Sequence, residues 1–112
     1  MSVDPARIER DLAALIEIPS VTGQEEAVQE RMAELMADAG LEVSQLSADL
    51  AALSADPAYP GAEAERTTLP VVAGRLRGVR PGPTVVLAGH LDVVPAGDRE
   101  SSDRWRRLHA ER

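Results

Sequence analysis

Two side chains in this sequence have the types and the spacing to do chemistry together: His90 and Asp92. On an extended backbone, residues two apart project to the same side, with Cα atoms about 6.5–7 Å apart. That spacing lets a carboxylate sit beside an imidazole. Metal-binding histidines commonly give their second ring N–H to a carboxylate or carbonyl, which fixes the tautomer and strengthens the free nitrogen as a donor to zinc. His90 is therefore the candidate metal ligand, and Asp92 the candidate catalytic-site carboxylate that orients it. Gly89 leaves room for another segment or a ligand to come close. Pro95 stops any ladder and directs the chain into the Ala96-Gly97-Asp98 turn. Isolated His-x-Asp pairs are common and most are surface or capping residues, so the surrounding sequence has to carry the argument. The only other histidine, His109, lies in an Arg-rich stretch and reads as a solvated surface residue.

The element that must present this pair is the run Thr84-Val85-Val86-Leu87-Ala88-Gly89. Val85 to Gly89 carry no polar side chain, and β-branched valines open the run. This is the pattern of a strand buried on both faces, as in an α/β sheet. In open α/β sheets, ligands collect at the carboxyl ends of strands, and His90 stands at that end.

Upstream, Asp4 is a good N-cap and Pro5 suits a first helical turn. Ile8, Leu12, Leu15 and Ile16 then recur at helical spacing until Pro19 ends the helix. Ser20-Val21-Thr22-Gly23 reads as a turn, and Thr22 with Glu25 matches a capping box for a second helix. Val28, Met32, Leu35, Met36 and Ala39 form its apolar stripe, and Gly40 fits the left-handed residue past its end. The acidic residues of both helices fall mostly on the opposite faces and read as solubility. A strand is expected from Leu41-Glu42-Val43 and a brief helix over 47–53, with Leu46, Leu50 and Leu53 as its apolar face. Residues 54–62, with Pro57, Pro60 and Gly61, read as a loop. Leu69 to Leu76 reads as a strand, and the Gly- and Pro-rich residues 78–83 as a hairpin-type connection. Helices and strands in alternation give an α/β class.

Composition sets the outer bounds. At 112 residues the chain has room for one core. With no Cys, disulfide scaffolds, thiolate metal sites and cysteine nucleophiles are all excluded. The net charge is −7, with 14 Asp and Glu against 3 Arg over residues 1–65, and 5 against 9 over residues 66–112. An acidic chain with one Trp, one Tyr and no Phe has no stacking platform, so no nucleic-acid partner is expected. No apolar run reaches the roughly 20 residues that span a bilayer, and the first residues lack the pattern of a signal peptide. No membrane partner and a cytoplasmic location are expected.

The stretch Gly89-His90-Leu91-Asp92-Val93-Val94-Pro95-Ala96-Gly97-Asp98 resembles the first signature of the zinc-dependent deacylases and exopeptidases. That family includes acetylornithine deacetylase, succinyl-diaminopimelate desuccinylase, aminoacylase and the glutamate-releasing carboxypeptidases. Leu15-Ile16-Glu17-Ile18-Pro19-Ser20-Val21-Thr22-Gly23-Gln24-Glu25 is similar to the family's first helix and the turn after it. The loop at 56–61 and residues 69–78 are similar to deacetylase-like members. The resemblance covers residues 5–98. It implies that His90 is the first zinc ligand, that Asp92 orients it, and that Trp105 matches the Trp after the Gly-Asp turn, displaced by a few residues. It further implies hydrolysis of an amide bond in an N-acyl amino acid or peptide. A two-zinc centre would polarise the carbonyl and lower the pKa of its water from 15.7 to about 7.

The sequence also departs from the family. Arg106-Arg107-Leu108-His109 stands where Asp-Pro-Phe is expected. The bridging Asp, the Glu–Glu pair with its general base, the further zinc ligands and the distant His have no counterpart. Residues 1–98 accordingly read as the N-terminal part of a metallohydrolase catalytic domain, a zinc-exopeptidase-like mixed sheet flanked by helices. Residues 99–112, with five Arg, read as an atypical tail from a truncated or frame-shifted reading frame, or from a fragment. A catalytic zinc needs three protein ligands plus water, so the chain alone is expected not to hydrolyse amides. A homodimer that pools ligands across chains is a less favoured alternative. The rival reading is a non-enzymatic α/β interaction or regulatory domain in which His90 is a hydrogen-bonded strand-end residue.

Overall fold

A computed structural model describes residues 3–97. The order of elements is α1 (Pro5–Ile16), α2 (Glu26–Asp38), β1 (Glu42–Ser47), α3 (Leu50–Ala55) and β2 (Pro70–Arg75). This is a small mixed α/β unit built on a two-stranded antiparallel sheet. No helix among the described residues is long and apolar enough to cross a membrane.

Local signals set the helix ends. Asp4 accepts the Ala6 and Arg7 amides at 3.0 and 3.3 Å, which satisfies donors with no partner inside α1. Asp49 does the same for Ala51 and Ala52 at the start of α3. The expected helix over 47–53 is therefore shifted: Ser47 ends β1, and the helix starts only after the Asp49 cap. Helix α2 ends as expected, at Gly40 with φ +84°. The Gly40 amide bonds the Ala37 carbonyl at 2.9 Å and the Leu41 amide bonds that of Met36 at 3.0 Å, a Schellman pair. The start of α2 differs from expectation. No side chain caps it, and Thr22 and Glu25 form no capping box: the helix begins only at Glu26, with Glu25 at its cap position, while Thr22 reaches Asp92 and Glu25 takes the Gly23 amide and Arg66.

The core lies between α2 and the sheet. Val28, 2% exposed, and Ala33 form its centre. Strand register pairs Glu42 with Arg75 through to Ser47 with Pro70, and the Ala48 amide bonds the Leu69 carbonyl. Hydrogen-bonded and non-bonded pairs alternate in such a ladder, so Pro70 falls at a non-bonded pair, where its missing N–H costs nothing. Val72 falls at one too. Its N–H points away from β1 and is taken by Gln29 Oε1 of α2 at 3.2 Å. Gly74 is needed for close approach: a Cβ there would stand 2.6 Å from Leu41 Cδ2 and 2.9 Å from Met36 Sδ. The hydrophobic contact of the Schellman turn thus rests on the bare backbone of β2.

Two expectations fail on packing. Helix α1 forms, but Ile8, Leu12 and Ile16 of its apolar stripe stay exposed. Residues 84–89 are not a strand buried on both faces. They join no ladder, and Val85, Val86 and Leu87 are 77%, 81% and 94% exposed. With no strand there, residues 78–83 close no hairpin. The physical reason is the want of a neighbour: an apolar run becomes a buried strand only where edges and layers cover it. Asp98, Trp105, His109 and the Arg-rich tail lie outside the described residues.

Candidate functional site

The site is assembled from two segments far apart in sequence. The turn after α1 meets the chain around Val93 in an isolated parallel bridge between Val21 and Val93. Two backbone bonds make it: Val93 N–H to the Ser20 carbonyl at 2.9 Å, and Thr22 N–H to the Val93 carbonyl at 3.2 Å. Ser20 is buried there. Gly23, with φ +98°, turns the chain away immediately afterwards, and its amide bonds Glu25 Oε1 at 2.9 Å. The same Glu25 oxygen pairs with Arg66 at 3.0 Å, both side chains being almost fully buried. Glu25 is thus the exception among the helix acids read as solvated: it anchors the turn to the loop before β2.

On this anchored turn Thr22 Oγ1 donates to Asp92 Oδ2 at 2.6 Å. The other carboxylate oxygen, Oδ1, lies 3.0 Å from His90 Nδ1, and the Asp92 backbone carbonyl lies 3.1 Å from the same nitrogen. Neither a carboxylate nor a carbonyl oxygen can donate. Nδ1 therefore carries the proton toward both, and in the neutral ring Nε2 holds the free lone pair. The Thr22 hydroxyl holds the Asp92 carboxyl below the usual carboxylate range; partial burial opposes this, and the His90 contact adds to the lowering. The carboxylate is 27% exposed and the imidazole 84% exposed.

The structure thus brings together the two residues singled out in the sequence, with the acid beside the imidazole. It does not set the ring at the tip of an interior strand. The ring stands in solvent after an uncovered segment, because the run before it has no sheet around it. Sequence pattern does not mark Thr22 or Ser20 as site residues. Thr22 has the spacing of a helix cap, and nothing local links it to a carboxylate 70 positions away.

Nε2 of His90 fits one coordination position of a zinc ion, with Asp92 as the outer partner. Among the described residues no group of three or more His, Cys, Asp or Glu stands together to hold a metal. One imidazole falls short of a catalytic zinc site. An open depression of about 710 Å³ is lined by Gly23, Leu50, Tyr59 and Arg66 among others, and neither His90 nor Asp92 lines it. No family model, curated protein or solved structure matches the chain.

Proposed function

We propose that the chain carries the first zinc ligand, His90, and its orienting carboxylate, Asp92, of a metal-dependent hydrolase of amide bonds in N-acyl amino acids or peptides. On this reading the chain is the N-terminal part of a zinc-exopeptidase-like mixed sheet and works in the cytoplasm. The observation that carries it is the 3.0 Å contact between Asp92 Oδ1 and His90 Nδ1, which leaves Nε2 as the open donor. The uncovered run at Val85–Leu87 supports the same reading, since a strand of a larger sheet would expose its apolar faces when its neighbours are absent. The remaining ligands would come from chain not present here or from a second copy. No hydrolytic step is assigned to this chain alone.

Calorimetric zinc titration of the 112-residue chain tests the reading. Weak binding is expected, lost in His90→Ala and reduced about 10- to 100-fold in Asp92→Ala. Zinc binding indifferent to His90→Ala would sink it. N-acetylated amino acids should not be turned over; His90-dependent turnover by the chain alone would show that the ligand set is complete after all.

The exposed Val85–Leu87 segment also favours a second reading, a non-enzymatic α/β module that offers an apolar strand to a partner.

A further inference from the structure

We infer that Thr22 is the positioning residue of the His90–Asp92 pair: its hydroxyl fixes the carboxylate, and the carboxylate fixes the tautomer and direction of the imidazole. Its purpose rests on the zinc reading; the arrangement itself does not.

An imidazole 84% exposed has little packing to hold it. Its orientation depends on what it bonds, and one of its two partners is the Asp92 side chain. A carboxylate held at one oxygen only would pivot about its Cα–Cβ and Cβ–Cγ bonds. Here Oδ2 is fixed at 2.6 Å by Thr22, so Oδ1 is aimed at Nδ1. Short O–H···O⁻ bonds of this kind are among the stronger ones in proteins.

Thr22 suits the task in three ways. It is β-branched, so few side-chain rotamers are open to it. Its amide is bonded to the Val93 carbonyl, one residue beyond Asp92, so the backbone sets the distance between hydroxyl and carboxylate. The turn that carries it is anchored by the buried Glu25–Arg66 pair and by the Gly23 amide. Side chain and main chain of one residue therefore hold the His90 segment to the folded body. A cap would have served only its own helix.

Long-range proton–nitrogen correlation spectra of the histidine ring at neutral pH test this. His90→Ala identifies the His90 signals against those of His109. The wild-type chain should show His90 chiefly with Nδ1 protonated. Thr22→Val and Thr22→Ala, which lack the hydroxyl, should shift the ratio of the two neutral tautomers toward Nε2–H at least twofold. Thr22→Ser, which keeps the hydroxyl but not the branching, should stay nearer the wild-type ratio than either. Amide spectra of Val28 and Val72 report that the body stays folded. An unchanged ratio in Thr22→Val or Thr22→Ala, with the body folded, overturns the inference. Zinc titration of the same samples separates the two claims. A Thr22-dependent tautomer with zinc binding indifferent to His90→Ala supports the positioning role and removes the zinc reading. Zinc binding with a Thr22-independent tautomer overturns the positioning role and keeps the zinc reading.

Discussion

Residues 26–75 and residues 76–97 are both rich in aliphatic side chains, yet they fare differently. In the first region Val28 is 2% exposed beneath the sheet; in the second Leu87 is 94% exposed. Hydrophobicity does not separate them. Helix α2 has a covering layer, and β1 and β2 have each other's edge. Residues 84–89 have neither, and the two backbone bonds at Val93 are the point where this stretch is tied back. Burial is a property of a residue and its neighbours together, and the lesson bears on the site: His90 follows an uncovered segment, so the Thr22–Asp92 contact does the work that a sheet would do elsewhere.

The largest expected effect comes from placing the same charge in each region. Val28→Asp buries an unpaired carboxylate and should cost at least about 3 kcal/mol, enough to unfold the body in thermal melts. Val86→Asp should stay within about 0.5 kcal/mol. A loss above about 1 kcal/mol for Val86→Asp would show that the segment is packed and would erase the contrast.

Adding one methyl group sharpens the comparison further. Gly74→Ala forces Leu41 and Met36 to move and should cost about 1–2 kcal/mol in denaturant titration. Gly89→Ala meets nothing within 4 Å and should be neutral. Equal effects would mean that the Schellman contact on β2 is looser than described.

The smallest effect is on pH dependence. The Asp92 carboxyl is lowered in the folded chain, so its contribution is full above the unfolded value of about 3.9 and is lost as pH falls through the folded value. Below about pH 4, amide exchange at Val93 and Thr22 should therefore accelerate before that of Val28, once corrected for the intrinsic pH dependence of exchange. Simultaneous acceleration would tie the bridge to the global unfolding of the body.

What could be read from sequence alone follows the range of each interaction. The Asp4 cap, the stop before Pro19, the Gly40 terminus and strand β2 all rest on signals within a few residues, and all are present. Thr22 and Glu25 have the spacing of a capping box, but the helix starts only at Glu26, and their side chains meet Asp92 and Arg66, which no local pattern announces. The apolar run at 85–89 misleads for a related reason: its pattern states what the segment would need, and no element among the described residues supplies it.

The sequence by itself determined both ends of α1, the end of α2, the second strand and the closeness of His90 to Asp92, because caps, turns and a two-residue spacing act through the local backbone. Tertiary structure alone decided that Thr22 grips Asp92, that Arg66 holds Glu25, that Gly74 underlies Leu41, and that Val85 to Leu87 stay in water. Each of those depends on which distant surface arrives, and arrival is set by the packing of the whole chain.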